Sequence, residues 1–138
     1  MSNLDENVQR WLEQFLREQG AVAGTVHTRD LATDVLNIQA AVNIPPKVQE
    51  ITAHIPRGKG MAGLALEREQ PVSTCNLQDN ASSDVRPGAR AVNAQAAVAL
   101  PIAGPQGVRA VVGLAYLGER EFTAEQLGAL MQAASSVP

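Results

Sequence analysis

The chain has 138 residues, a formal net charge of -3 and a pI near 5.3, with 45% hydrophobic but only 3% aromatic residues. It can bury a core without disulfides or metal, and it lacks both the basic field and the stacking aromatics that a nucleic-acid partner needs. A lone cysteine, Cys75, excludes an internal disulfide and a multi-thiolate zinc site, and the lack of a signal-peptide order or a long apolar run predicts a cytoplasmic protein with no membrane partner.

The first element is a helix from about Leu4 to Gln19. Leu4, Val8, Trp11, Leu12, Phe15 and Leu16 recur at steps of three and four, Asn3 with Glu6 forms a variant cap, and Gly20 offers a left-handed exit. Ala21 to Thr28 and Thr33 to Val42 follow as a β-hairpin. In its second run Leu36, Ile38, Ala40 and Val42 alternate with Asn37, Gln39 and Ala41, as a strand with one buried face requires. Pro45 and Pro46 stop that strand because neither donates to a ladder. The mixed stretch from Lys47 to Ile55 reads as a short helix and then an extended piece.

The segment IPRGKGMAGLALEREQPVSTCNL, Ile55 to Leu77, places Gly58, Gly60 and Gly63 in the spacing G-x-G-x-x-G. That spacing also occurs in dinucleotide-binding loops, where it follows a parallel strand and precedes a helix. Here the residues before it are the broken TAHIPR and the neighbouring elements are hairpins, so the Rossmann reading fails. Met61, Leu64 and Ala65 share one face of a short helix from Gly60 to Glu69. Pro71 ends it, and Val72 to Cys75 is a strand.

Asn76 to Asn93 carries DNASSDVRPGAR and has no sustained apolar period. A loop of this length fits a lid over a ligand and a plain surface loop equally well. Ala94 to Leu117 is a second antiparallel hairpin around Gly104-Pro105-Gln106-Gly107, with the proline fixing the first turn dihedral. Thr123 with Gln126 forms a capping box, and Phe122 with Leu127 a hydrophobic staple, for a last helix reaching about Ala134. The order is that of an α+β fold with an antiparallel sheet.

These pieces resemble the GAF domain family. The resemblance rests on GKGMAGLALEREQPVSTCNL, Gly58 to Leu77, on the small-residue strand ending in Leu100-Pro101-Ile102, on its partner Gly107 to Leu117, and on Phe122-Thr123-Ala124-Glu125-Gln126-Leu127. It extends over essentially the whole chain, residues 1–138, as one domain. It implies a profilin-like antiparallel sheet of up to six strands, with the terminal helices on one face and a small-molecule pocket under loops and short helices on the other. It further implies a sensory or regulatory role in signal transduction, as a homodimer.

The glycines are then structural, since glycine at positive φ accounts for the pattern by itself. An anionic ligand could dock at the helix start through Gly60, with Arg57 or Lys59 assisting. The predicted ligand site is a polar or anionic molecule between the Gly60 helix and the Asn76 to Asn93 loop, with Arg57, Lys59, Gly60, Asp84, Arg86 and Arg90 as candidates. The predicted homodimer uses the heptad seam Leu4, Val8, Trp11 and Phe15 together with Leu127, Leu130, Met131 and Ala134 of the last helix.

No cofactor is expected. His27, at a strand end, and His54, shortly before Pro56, read as surface or hydrogen-bonded histidines because neither has a second metal-type ligand at helical or hairpin spacing. Asn76 stands where the bilin-attaching dipeptide would carry histidine after Cys75. Free methionine-(R)-sulfoxide reductases also resemble GAF domains but use several cysteines, and Cys75 closes an apolar strand, where a thiol is inert rather than activated. That enzyme and a purely structural dimerisation module with a closed pocket are the two alternatives to a sensory domain.

Overall fold

The computed structural model describes residues 5–74, 96–117 and 122–138, and within them each apolar run finds a face to bury. Helix α1, Glu6–Gln19, is capped by Asp5, whose carboxylate accepts from the backbone N–H of Asn7 at 2.8 Å and Val8 at 3.2 Å. Asp5 thus takes the role that the spacing assigned to Asn3, which lies outside the described residues. An anionic cap also meets the positive end of the helix dipole. At the other end Gly20 adopts φ +72 and returns its N–H to the Leu16 carbonyl, as predicted.

Strands β1, Ala23–Asp30, and β2, Val35–Val42, form the first hairpin. Helix α2, Pro46–Ile51, starts with Pro46 in its first turn, where a missing N–H costs nothing. Strand β3, His54–Pro56, returns along β2, and helix α3, Gly60–Arg68, leads to strand β4, Val72–Thr74. The second hairpin is β5, Ala96–Gly104, with β6, Gly107–Tyr116. Helix α4, Ala124–Ala134, opens with the predicted box: Thr123 accepts from the Gln126 N–H and Gln126 Oε1 from the Thr123 N–H, both at 3.1 Å.

The six strands run in the order β3-β2-β1-β6-β5-β4, every neighbouring pair antiparallel. The two hairpins therefore lie side by side and are joined by pairing β1 to β6. Where the short β3 no longer covers the edge of β2, α1 takes over its hydrogen bonds. The Gln9 amide donates to the Ala41 carbonyl at 2.8 Å and accepts from its N–H at 3.0 Å, and the Asp5 N–H reaches the Gln39 carbonyl at 2.7 Å. A side chain thereby closes part of an open sheet edge.

Both faces of the sheet are covered. On one, Val8, Leu12, Phe15 and Leu16 of α1 and Leu130 and Ala134 of α4 pack on Val26, Val98, Leu100, Val112 and Leu114. On the other, Met61, Ala65 and Leu66 of α3 meet Leu36, Ile55, Val72 and Val111. Strands buried on both sides read as continuous apolar runs, and Ala96 to Ile102 are all buried. The predicted dimer seam is altered by this packing: Val8 and Phe15 are 4% and 2% exposed inside the subunit and cannot face a partner. Trp11 is half-buried, stacked on Phe15 with ring centroids 4.7 Å apart, and Leu4 lies outside the described residues.

The three glycines shape the entry to α3. Gly58 and Gly60 have φ of +81 and +63, and the Gly58 N–H donates to the Gly63 carbonyl at 2.9 Å. That folds the segment so tightly that a Cβ on Gly63 would stand 2.5 Å from the Pro56 carbonyl oxygen. Gly63→Ala is expected to lower the free energy of unfolding by about 2 kcal/mol through backbone displacement. Gly128→Ala, in α4 with nothing within 4 Å of the added atom, is expected to raise it by about 0.5–1 kcal/mol through helix propensity. Denaturant midpoints at unchanged m-value check both.

Candidate functional site

The face that carries α3 is not filled at its centre. A row of residues crosses the sheet from Thr25 of β1 to Gly113 of β6, Ala99 of β5 and Val72 of β4. The next row pairs Ala115 with Ala97. Short side chains at Gly113, Ala99, Ala115 and Ala97 leave a floor with little relief. Across from it Ile44, Val48 and Thr52, from α2 and its flanks, and Met61 and Ala62 of α3 form the roof. Between them lies a partly open cavity of about 120 Å³ whose walls are mostly carbon.

Its polar groups come from Thr25, Thr52 and His27. His27 sits where the β1–β2 register shifts, between Val26 and His27, and its side chain is only 2% exposed. Its Nε2–H donates to the Thr52 carbonyl at 2.8 Å. A carbonyl oxygen only accepts, which fixes the proton on Nε2 and leaves Nδ1 as the lone-pair nitrogen. Thr52 ends α2 and is itself tied back, its hydroxyl donating to the Val48 carbonyl at 2.8 Å. His27 therefore pins the end of a roof helix to a floor strand. Burial pushes its pKa from 6.5 down to about 4, outweighing the hydrogen bond to Thr52, which favours the charged form; the neighbouring His54 adds to the depression.

Of the residues predicted for a ligand, Arg57, Lys59 and Gly60 are described, and they stand away from this cavity. Arg57 is exposed and paired with Asp34, its Nε donating to Oδ2, while Arg29 Nε donates to Asp34 Oδ1 at 2.7 Å. Asp34 stands at φ +59 in the β1–β2 turn, and Arg57 first and Arg29 second hold its carboxyl below the usual range. The group joins the first hairpin turn to the approach to α3, and Arg29 extends the link to the carbonyls of Gln106 and Val108, each at 3.2 Å. Lys59 is exposed and precedes α3 without capping it, and Gly60 is buried as the first residue of α3. None of the three lines the cavity. Asp84, Arg86 and Arg90 lie outside the described residues, as does Cys75. Among the described residues no cluster of His, Cys, Asp and Glu could hold a metal ion, and no helix is long and apolar enough to cross a membrane.

A family model described as GAF domain matches residues 2–137. The chain belongs to the GAF domain family. No curated protein matches it. Solved GAF structures share the fold at low identity, among them the GAF domain of an Acinetobacter phosphoenolpyruvate-protein phosphotransferase. It is 12% identical with a TM-score of 0.71, over 94% of this chain and 75% of that one. A type II free methionine-R-sulfoxide reductase from Thermoplasma acidophilum is 14% identical with a TM-score of 0.67, over 91% and 83%. NreA from Staphylococcus aureus, mutated in its nitrate-binding site, is 14% identical with a TM-score of 0.68, over 84% and 89%. At these identities the likeness is one of fold. This GAF sheet, with terminal helices on one face and α2 and α3 on the other, matches the architecture implied by the sequence resemblance.

His27 as a cavity group was not legible in the sequence. The sequence places it at a strand end, and the structure places it inside β1. The available signal was parity: Ala23, Thr25 and His27 alternate along one strand face, so a buried Ala23 predicts a buried His27. The folded pKa lies below that of the unfolded chain, so between about 6.5 and 4 the unfolded state binds the extra proton. Stability is complete above that window and falls as the pH drops through it, by about 3 kcal/mol in all. Urea midpoints measured at pH 7 and 4.5 should show the loss, and His27→Gln, which cannot titrate, should reduce it.

Proposed function

We propose that this GAF domain is a regulatory module that binds a small molecule in the cavity between the sheet and helices α2 and α3, and that it has no catalytic activity of its own. The observation that carries this reading is the cavity itself: a floor of Gly113, Ala99, Ala115 and Ala97 leaves space that larger side chains would fill, in a core where such voids are uncommon. Its apolar lining departs from the polar or anionic ligand expected from the sequence, and supports a ligand with a largely apolar body. NreA has a nitrate-binding site and the Thermoplasma protein is a reductase, so the fold accommodates small ligands and chemistry alike. This chain's lone thiol, Cys75, argues for the binding role, since no second cysteine is available to resolve an oxidised one.

Native mass spectrometry of freshly purified protein, with amide shift mapping of small neutral alcohols and aromatic compounds, tests the proposal. A retained mass, or shifts centred on Thr25, Gly113 and Met61, is expected, and Ala99→Leu should abolish either while the fold persists. Shifts that never reach the cavity would instead indicate a purely structural module. Homodimerisation belongs to the same reading, with the contacts moved to the half-buried apolar residues of the helical face, Trp11, Leu127 and Met131. Sedimentation at tens of micromolar should then give a dimer that Met131→Glu dissociates, and a monomer in both cases would remove the dimer from the proposal.

A further inference from the structure

Helix α4 ends at Ala134, and the residues after it are fastened to the helical face by groups from two other elements. Arg109 of β6 donates from one Nη to the Val137 carbonyl at 2.9 Å and to the Ser135 carbonyl at 3.4 Å. Between them, Trp11 of α1 donates its indole N–H to Ser136 Oγ at 3.0 Å. The Val137 N–H turns back to the Ala134 carbonyl at 3.1 Å, and its side chain, 4% exposed, joins the apolar layer under α1 and α4.

The fastening is built into the sheet. Ile102 pairs with Ala110 and Ala103 with Val108, so Arg109 is the extra residue of a β-bulge, a device that re-aims a side chain. A Cβ on Gly104 would stand 3.0 to 3.3 Å from the Arg109 stem, so the glycine gives that stem room to lie there. Helix α4 has no basic residue in its own last turn, and Arg109 supplies the cation that the negative end of a helix favours. The hold is nonetheless light. It consists of one buried side chain and of hydrogen bonds that stand mostly at exposed positions, whereas Leu130 and Ala134 keep α4 itself in the core. Few buried contacts and water-accessible bonds let a segment open well below the global stability.

We propose that Ser135 to Val137 form a latch, which leaves the helical face as one unit while the sheet, α1 and α4 stay folded. The unity comes from interlocking: Arg109 holds residues 135 and 137, Trp11 holds 136 between them, and Val137 is bedded below, so loss of one contact loosens the others. Release withdraws Val137 from the apolar layer and frees the Trp11 indole. The apolar face of Trp11, Leu127 and Met131 then gains the seat that Val137 leaves. A regulatory domain can in this way cover or expose part of its helical face without refolding. The latch is independent of what the cavity binds.

Native-state hydrogen exchange on 15N-labelled protein, in water and in low urea, tests this by following the Val137 amide, the Trp11 indole N–H and, as a core reference, the Leu114 amide. The first two are expected to share one protection factor, below that of Leu114 and little changed by urea. Arg109→Met keeps the stem and removes the donors, and should lower both protection factors about tenfold with Leu114 unmoved. Val137→Ala should lower protection at the indole as well, acting from the other side of the latch. Exchange of Val137 and Trp11 only through the urea-dependent opening that Leu114 reports would show the segment to be fixed core and overturn the latch. So would an indole whose protection does not follow that of Val137, in the native protein or in either variant, since that is fraying residue by residue. If a variant does not fold, the native protection factors and their urea dependence decide.

Discussion

Everything in this fold depends on a sheet whose central strands are covered on both faces. A strand with one wet face can alternate apolar and polar residues, but β5 and β6 have helices or loops above and below and must be apolar at nearly every position. With aromatic residues scarce, the requirement is met by Val, Leu, Ile and many alanines. The alanines have a side effect. Where they fall on the α2 and α3 face, together with Gly113, they do not reach the roof, and the cavity is the space they leave. Leu100, Val112 and Leu114 face the other way and pack in the layer under α1 and α4. The same two strands thus present larger aliphatic side chains to one side and alanines and a glycine to the cavity on the other.

That asymmetry explains what was legible in the sequence. Both hairpins, the glycine exit of α1, the capping box of α4 and the geometric role of the three glycines are local matters, set by residues a few positions apart, and each was readable. The cavity is not local. It depends on Thr25, Gly113 and Ala99 standing in one row across three strands, and on two short helices being held off that row. In the sequence an alanine in an apolar strand gives the same signal whether its neighbour across the gap touches it or not. Arg57, charged and next to Gly58, reads locally as a ligand group, but its partner is Asp34, a turn residue twenty-three positions away.

His27 marks the limit of reading a strand by periodicity. Its parity with Ala23 and Thr25 placed it on a buried face, while its chemistry suggested the surface. Packing decided for the face, and the Thr52 carbonyl made the burial tolerable by taking one ring proton. The outcome is a neutral imidazole fixed in a single tautomer between a roof helix and a floor strand. A change at one nitrogen is felt at the other through the conjugated ring. Strand β1 and the end of α2 are accordingly tied together by one buried side chain.

The joining of the two hairpins through β1 and β6 also shapes how the chain reaches this state. Within each hairpin, pairing closes short loops, and α1, α3 and α4 form from neighbours in sequence. Pairing Ala23 to Thr28 with Ala110 to Ala115 instead brings together segments from opposite ends of the chain, an entropic cost met before any contact repays it. Until that seam closes, β1 and β6 each present an open edge, and the floor of the cavity does not exist. The seam is therefore the pairing with the largest loop-closure cost in the sheet, and the cavity floor is complete only once it has closed.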